Sequence, residues 1–350
     1  MRLALMRALG FLRGMDIAEP WGLLAGEEAL AAVAAGRAVP LAGGALAFSL
    51  VRLAGAVIPA TDLPPALRER MSAAPPPFAG LPGDRPLIMG ILNVTPDSFS
   101  DGGLHDAPQS AIAAARAMLA EGADLIDIGG ESTRPGAAPV TPEQELARVL
   151  PVVRALAGEA VLSIDTRHAL VMAECLAAGA HIINDVSALR HDPQAVGVVA
   201  RAQAPVIIMH MPGDDPRTMQ SLAHYEDVAL EVAGFLAGRI AALEAAGIPR
   251  ARIMLDPGIG FGKTAAHNLE LTRRLPVLAG LGCRVLYAAS RKTFIGRIAG
   301  VETPADRMPG SLAVALAALE RGATMLRVHD VAETRQAVAL WQAMTEARKP

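Results

Sequence analysis

Residues 87–103 read LIMGILNVTPDSFSDGG, and this stretch determines how the rest of the chain is interpreted. The apolar run LIMGIL has the length of a buried strand, and it ends abruptly at Asn93. The residues that follow are richer in hydroxyl, carboxylate and glycine groups than a simple connection needs. The pattern therefore predicts a buried strand whose carboxyl end leads into a functional loop.

The same pattern, a short apolar run that ends in polar residues, recurs along the chain. The predicted strands are LIMGIL (87–92), DLIDIG (124–129), AVLSID (160–165), HIIND (181–185), PVIIMH (205–210), RIMLD (252–256), RVLYAAS (284–290) and TMLRVH (324–329). Amphipathic segments separate them, and Thr141-Pro142-Glu143-Gln144 is typical of a helix start. Eight strand-then-helix units predict an α/β fold, a (β/α)8 TIM barrel, and favour it over a doubly wound open sheet.

Residues 1–86 precede the first predicted barrel strand and lack the regular alternation of strands and helices that follows it. The segment RAVPLAGGALAFSLVRL (37–53) predicts two short strands joined by Gly43-Gly44, a small hairpin subdomain. Eight prolines lie in residues 59–86, which predicts a linker or an irregular segment. We therefore expect an N-terminal extension (residues 1–86) followed by a barrel domain (residues 87–350).

Composition excludes several classes of protein. Hydrophobic residues make up 52% of the 350 residues and charged residues 19%, which excludes intrinsic disorder for most of the chain. The net charge is −3 without a long basic run, so neither a nucleic acid nor an anionic membrane is an expected partner. No uncharged apolar run reaches the roughly 18 residues of a membrane span. Cys175 and Cys283 are far apart, as reduced thiols of a soluble, cytoplasmic protein would be.

Polar side chains follow every predicted strand, and in a barrel all strand ends lie on one face, where active sites form. One group is cationic and suits a multiply charged anion; it comprises Arg134, Lys263, Lys292, Arg327 and His329. Asp165, Asn184 and Asp256 form an acceptor-rich group. Buried carboxylates need partners, so this second group predicts a flat heterocycle that carries several N–H donors.

Three apparent motifs do not hold. GIGFGKT (258–264) ends like a phosphate-binding P-loop, but Pro257 occupies the position of its first glycine. A single His210 in HMP is too little for a zinc site, and this residue suits a packed core and a site wall equally. Ser132 and Ser290 lack the G-x-S-x-G context of a hydrolase nucleophile.

Taken together, these segments resemble the dihydropteroate synthase family. The matching motifs, in chain order, are GILNVTPDSFSDGG (90–103), GGESTRPGA (129–137), IDT (164–166), HIINDV (181–186), LDPGIGFGK (255–263), SRK (290–292) and RVHD (327–330). The resemblance runs from about residue 87 to about residue 345. It implies condensation of 6-hydroxymethyl-7,8-dihydropterin diphosphate with p-aminobenzoate, which gives 7,8-dihydropteroate and pyrophosphate in folate biosynthesis.

The resemblance also implies roles for individual residues. Asp165, Asn184 and Asp256 would bond the pterin amino and ring N–H groups, with Lys292 on the carbonyl side. Arg327 and His329 would hold the diphosphate, and Asn93 would help to place a Mg²⁺ ion that bridges it. The second substrate's site would be built from Thr133, Arg134, Phe99, Phe261 and Ser290. Lys292, Arg327 and His329 are the expected catalytic residues.

The loop after the first strand is expected to close over the substrates as a lid, with Thr95, Pro96, Asp97, Ser98 and Phe99 at its start. The sequence departs from the family pattern at Arg167 and His168 and in AASRK (288–292). Barrels of this type commonly pair, so a homodimer is expected.

Two alternative functions are a methyltetrahydrofolate-binding methyltransferase domain and a pterin-binding paralogue without activity. The intact set of cations and the long first loop argue against both.

Overall fold

The computed structural model describes residues 17–95, 107–132, 139–215 and 218–345. Its first elements are β1 (Glu19–Ala25), α1 (Gly26–Ala34), β2 (Val39–Pro40), β3 (Leu46–Leu53) and β4 (Ala56–Pro59). The four strands form an antiparallel sheet in which β3 pairs with the other three. The pairing of Val39 with Phe48 confirms the two antiparallel strands predicted around Gly43-Gly44.

The proline-rich residues 59–86 contain more regular structure than the sequence predicts. Helix α2 (Pro65–Ser72) lies within them, so the expectation of an irregular segment is wrong for these residues. Proline is compatible with this helix because Pro65 lies in the first turn, where a backbone N–H has no partner within the helix. A short 3₁₀ helix, Ala60–Asp62, precedes it.

Eight parallel strands form a closed barrel, which confirms the predicted fold class. They are β5 (Leu87–Asn93), β6 (Leu125–Gly129), β7 (Val161–Asp165), β8 (Ile182–Asp185), β9 (Val206–Met209), β10 (Ile253–Asp256), β11 (Arg284–Tyr287) and β12 (Met325–Val328). All eight predicted strands are present, and their ends shift by at most three residues. The ring closes where β12 pairs with β5, through Met325 with Leu87 and Val328 with Gly90.

Helices alternate with the strands and bury their apolar faces against the outside of the barrel. They are α3 (Ala107–Ala120), α4 (Pro142–Leu156), α5 (Ala169–Ala177), α6 (Ala195–Ala202), α7 (Val228–Ala245), α8 (Ala265–Arg273), α9 (Pro276–Ala279), α10 (Thr293–Ala299), α11 (Met308–Leu319) and α12 (Val331–Thr345). The predicted start of α4 is confirmed: Gln144 N donates to Thr141 Oγ1 at 3.3 Å, and Thr141 N donates to Gln144 Oε1 at 3.1 Å. Among the described residues, none of the helices has both the length and the apolarity to cross a bilayer.

An apolar floor closes the amino end of the barrel. Side chains from seven strands form it: Leu87, Leu125, Ile182, Ile207, Met254, Leu286 and Met325. Phe78 and Leu81, which precede the barrel, pack against this floor and are buried with it. The N-terminal segment therefore seals the end of the barrel opposite the strand carboxyl ends.

Ionic and polar contacts attach the N-terminal sheet to the barrel. Arg274, after α8, donates to both carboxylate oxygens of Glu19 at 2.6 and 2.9 Å. The same guanidinium donates to both oxygens of Asp227 at 3.0 and 2.9 Å. Arg284 at the start of β11 donates to the carbonyl of Pro76 at 2.8 Å. The contacts of Glu19 and Pro76 join residues that are 255 and 208 positions apart in the chain.

Candidate active site

A layer of polar side chains lies directly above the apolar floor. Alternate residues of a strand point to the same side, so the residue two positions after a floor residue also faces the barrel interior. Four such positions are polar: Asp127 follows Leu125, Asn184 follows Ile182, Asp256 follows Met254 and Arg327 follows Met325. The sequence predicts three of these as site residues, and the barrel brings them into one layer.

Arg327 is the centre of this layer. Its Nε donates to Asp127 Oδ2 at 2.6 Å, and its Nη2 donates to Asp165 Oδ2 at 2.7 Å. Asn184 Nδ2 donates to the same Asp127 oxygen at 3.0 Å. Burial alone would lower the pKa of Arg327, but the charges of Asp127 and Asp165 outweigh it and raise that pKa. Arg327 is therefore a permanent cation at the centre of the site.

Two acceptor carboxylates of the site are buried and raised in pKa. Burial raises the pKa of Asp165 to about 7, although the Arg327 charge opposes the rise. Burial also raises the pKa of Asp256, whose Oδ1 accepts a hydrogen bond from the Gly258 N–H at 2.7 Å. Perturbed carboxylates that face one interior are typical of functional sites, and both suit N–H donors of a ligand.

Lys292 and Phe261 form a wall beside this layer. The Lys292 ammonium lies 4.2 Å from the centroid of the Phe261 ring, in a cation–π arrangement. The preceding residue, Arg291, has a φ of +59° and an ion pair with Asp330, which together hold the turn that presents Lys292. A Cβ added at Gly260 would lie 3.1 Å from Lys292 Cδ, so the glycine leaves room for this side chain.

Ser290 and His329 meet across β11 and β12. The His329 backbone N–H donates to Ser290 Oγ at 3.2 Å, and His329 Nδ1 lies 3.0 Å from the same oxygen. Ser290 Oγ therefore holds both the backbone and the ring of His329. Burial, assisted by the charges of Arg291 and Arg327, lowers the pKa of His329 to about 4. The lowered pKa favours the neutral form of the ring.

Lys263 also differs from its sequence-based assignment to the anion-binding group. Its Nζ is buried and lies 3.0 Å from His210 Nδ1, 3.3 Å from the His210 carbonyl and 3.0 Å from the Phe261 carbonyl. Burial lowers the pKa of Lys263 to about 7. His210 is buried and packs edge-on against Phe235 at 5.0 Å between centroids. Lys263 therefore holds the glycine-rich loop together and does not face an anion site.

Asn93 is at the carboxyl end of β5, where its neighbour in the sheet is Gly129. Thr95, the first of the predicted lid residues, lies two residues further along the chain. The remaining predicted positions in the loops after β5 and β6 lie outside the described residues; they are Pro96, Asp97, Ser98, Phe99, Thr133 and Arg134.

Sequence reasoning missed Asp127, although a signal for it was present. The residue lies between Ile126 and Ile128 in the middle of an apolar strand, where an unpaired carboxylate would be costly. Such a position predicts a buried cationic partner, and the structure provides Arg327. The partner itself is two hundred residues away in the chain.

Two further ion pairs lie behind the loop that follows β6. Arg167 donates to both oxygens of Glu131 at 3.0 and 2.8 Å. His168 Nδ1 lies 2.7 Å from Oε2 of the fully buried Glu145 on α4. The departures from the family pattern at Arg167 and His168 are therefore accommodated by carboxylates of neighbouring elements.

Comparison with known proteins defines the class of this barrel. Residues 89–329 match the model of a family described as pterin binding enzyme, a span that includes β6 to β12 whole and β5 from Met89 onward. The match covers more than half of the chain and ends at His329. The chain belongs to this family of pterin-binding barrel enzymes.

The chain's relatives specify the activity within the family. It is 50% identical over 268 residues to dihydropteroate synthase from Neisseria meningitidis serogroup B. The aligned residues cover 75% of this chain and 93% of the relative. A solved dihydropteroate synthase from Xanthomonas albilineans in complex with 7,8-dihydropteroate is 48% identical. It superposes with a TM-score of 0.69 over 76% of this chain and 95% of that one. Another structure of the Xanthomonas albilineans enzyme, with 4-aminobenzoic acid, is 46% identical, with a TM-score of 0.71 over 86% and 99% of the two chains. The function of this chain is that of a dihydropteroate synthase, a transferase of folate biosynthesis.

Proposed function

We propose that the polar layer around Arg327 is where this chain condenses 6-hydroxymethyl-7,8-dihydropterin diphosphate with p-aminobenzoate. The observation that carries the proposal is the chain of hydrogen bonds from Asn184 through Asp127 and Arg327 to Asp165, toward the carboxyl end of the barrel. The set offers several acceptors beside one cation in a buried position. A pterin has amino and ring N–H donors on one edge and a diphosphate on the other, so it complements both groups.

Recognition of the pterin would rest on hydrogen bonds to buried acceptors. Asp165, Asn184 and Asp256 would accept from its amino and ring N–H groups, and Lys292 would donate to its carbonyl. A buried carboxylate without a partner is costly, so binding of a matching donor is strongly favoured over an analogue that lacks it. Arg327 would stack on the ring and contact the diphosphate.

The diphosphate would be held by Arg327 and by His329, whose Nε2 would donate when Nδ1 accepts from Ser290. A Mg²⁺ ion that binds mainly to substrate phosphates and water needs only one or two protein oxygens, and the Asn93 amide oxygen meets that need. The described residues contain no group of three or more His, Cys, Asp or Glu side chains that could enclose a metal, which fits an ion that arrives with its substrate. Bound there, Mg²⁺ would stabilise negative charge on the leaving group.

The second substrate would lie between the pterin and the loops after β5 and β6. Ser290 and Phe261, together with Thr133, Arg134 and Phe99, are the proposed walls of its site. The bond between the exocyclic methylene and the diphosphate oxygen breaks, and the aniline nitrogen forms a bond to that carbon and then loses a proton. The dihydropterin ring can delocalise charge on the methylene, so alignment of the two rings matters more than a strong protein base.

The first experiment measures pyrophosphate release by the full chain with both substrates and Mg²⁺. We expect turnover that requires p-aminobenzoate and stops when Mg²⁺ is chelated. A folded protein that releases no pyrophosphate with both substrates present would overturn the proposal. Release without p-aminobenzoate would instead indicate a hydrolase.

A second experiment tests the acceptor assignment by calorimetric binding of 6-hydroxymethylpterin. Asp256→Ala should abolish measurable binding, because the pterin donors lose a buried acceptor. Asp214→Ala is the control, since the Asp214 side chain is 84% exposed and pairs with the surface residue Arg190. Normal pterin affinity in Asp256→Ala would show that the donor–acceptor assignment is wrong.

We propose that the chain acts in the cytoplasm as a homodimer, with residues 1–86 as a structural extension of a catalytic barrel (87–350). Cys175 and Cys283 are both free and buried, and burial raises the pKa of each thiol to about 12. Such unreactive thiols are compatible with a reducing compartment. Light scattering during size-exclusion chromatography tests the dimer, and a mass of about 36 kDa would contradict it.

A further inference from the structure

Asp127 is the most buried charged residue of the site, and it is not among the residues that are proposed to contact the substrates. It lies in the middle of β6 with no exposed surface, between two isoleucines. A carboxylate in such a position is costly unless it is paired, so its retention needs a reason. The reason lies in the two side chains that it orders.

The first contact orients Arg327. Asp127 Oδ2 accepts from Arg327 Nε at 2.6 Å, which holds the guanidinium by its inner edge. The outer edge carries the Nη atoms, of which Nη2 reaches Asp165. Nη1 makes no hydrogen bond with the part of the chain that the structure describes. Asp127 thus leaves the outer edge of Arg327 available to a ligand.

The second contact orients Asn184. Its Nδ2 donates to the same Asp127 oxygen at 3.0 Å. An amide that donates on one side presents its carbonyl oxygen on the other, so this bond determines which end of the amide faces the ligand. With Asp127 in place, Asn184 is an acceptor toward the site. An asparagine at 127 could both accept and donate, so Asn184 would lose its preferred orientation.

We propose that Asp127 is a positioning residue that presents Asn184 as an acceptor and Arg327 by its outer edge to the pterin diphosphate. The inference rests on the proposed function of the site. Asp127 itself acts through these two side chains and is not assigned a contact with the reacting atoms.

Asp127 differs from Asp185, a second buried carboxylate of the barrel, in how its two oxygens are used. Within the described residues, Asp127 Oδ1 is buried and has no hydrogen-bond partner. Asp185, a buried carboxylate that stabilises a loop, uses both oxygens, which accept from the N–H groups of Ser187 and Leu189 at 2.6 and 3.0 Å. Asp127 instead concentrates both bonds on the oxygen that faces the ligand-binding side chains.

The chain offers a matched control in Ser163. It is paired with Asp127 in the β6–β7 register, is equally buried, and its hydroxyl also lacks a partner among the described residues. It contacts neither Arg327 nor Asn184 through a hydrogen bond. Substitution at Ser163 therefore perturbs the same layer without perturbing the proposed function of Asp127.

The experiment compares Asp127→Asn with Ser163→Ala in the full chain. For Asp127→Asn we expect at least a tenfold weaker calorimetric affinity for 6-hydroxymethylpterin and a comparable rise in KM for the pterin diphosphate. The KM for p-aminobenzoate should stay within about twofold of the wild-type value. Ser163→Ala should leave all three quantities within about twofold. Asp127→Asn with wild-type pterin affinity and kinetics would overturn the inference.

The pH profile measures how the charge of Asp127 acts on the neighbouring carboxyl. The Asp165 carboxyl is the group concerned, and Arg327, Asp127, Glu145 and Asp185 are the charges that act on it. Because the charge of Asp127 contributes to the raised pKa of Asp165, its neutralisation should move the acid limb of kcat/KM to lower pH. An acid limb at the same pH in Asp127→Asn would show that the charge of Asp127 does not act on the group that controls the acid limb.

Two safeguards keep the outcomes distinct. If Asp127→Asn does not fold, Asp127→Glu retains the charge but displaces both partners by one methylene, and the same loss of pterin affinity is expected. Wild-type affinity in that variant would overturn the inference. Failure of the wild-type chain to release pyrophosphate would contradict the proposed function itself, whereas normal wild-type turnover with an unaffected Asp127→Asn contradicts only the role of Asp127.

Discussion

Two arginines of this barrel each lie between two carboxylates, and they differ in how many of their donors are used. Arg274 joins the N-terminal sheet to the barrel and directs Nε, Nη1 and Nη2 at Glu19 and Asp227. Arg327 in the site uses Nε and Nη2 on Asp127 and Asp165. Both guanidinium groups have raised pKa values, and both have side chains less than one fifth exposed.

The difference separates a structural ion pair from a binding site. A guanidinium whose three nitrogens all donate within the protein has no free edge for a ligand. Its removal lowers the free energy of unfolding. A guanidinium with an open edge can recognise a phosphate in a fixed orientation. The number of committed donors, more than burial or charge, distinguishes the two arginines.

The largest effect is expected for Arg327→Lys, which keeps the charge but loses the planar fork. We expect kcat/KM for the pterin diphosphate to fall by about 100-fold or more, because an ammonium cannot pair with both carboxylates and also contact the diphosphate. Steady-state kinetics measure this effect. A drop of less than about threefold would mean that Arg327 does not contact the substrate.

A smaller and different effect is expected for Arg274→Lys. Loss of the paired contacts to Glu19 and Asp227 should lower the free energy of unfolding by about 2 kcal/mol, since the carboxylate of Glu19 remains buried with a poorer partner. Urea unfolding measures the change. Turnover of the folded variant should be within about twofold of wild type, and a large loss of turnover at unchanged stability would remove the distinction between the two arginines.

The smallest effect concerns the buried pair of His168 and Glu145. The hydrogen bond to Glu145 raises the pKa of His168 above its ordinary value of 6.5. A raised folded-state pKa stabilises the fold fully below the unfolded value and loses that contribution as the pH rises through the folded value. The free energy of unfolding should therefore fall by about 1 kcal/mol as the pH is raised from 6 to 9.

His168→Gln provides the control for that measurement. Glutamine can still donate to Glu145 but does not titrate, so the dependence on pH in this range should be weaker than in the wild-type chain. An identical pH dependence in His168→Gln would mean that another group is responsible.

Much of this architecture could be predicted from local pattern. Strand positions follow from short apolar runs, and the start of α4 follows from Thr141 and Gln144, because both depend on residues that are neighbours in the chain. Helix α2 is not predicted, because a high density of proline argues against a helix. Pro65 nevertheless lies in the first turn, which tolerates proline. The lowered pKa values of Lys263 and His329 could not be predicted for a related reason: burial, which shifts protonation, is not visible in the sequence.

What the sequence by itself determined is the order of eight strands and the residue types at their carboxyl ends, because these depend on periodicity and on local chemistry. Tertiary structure alone decided which of those residues meet. Closing the ring brings Arg327 of the last strand to Asp127 of the second, and a hydrogen bond across two hundred residues depends on the curvature and register of the whole barrel. The difference between a saturated arginine and an open one arises at that level, because it depends on how many acceptors the fold places around each guanidinium.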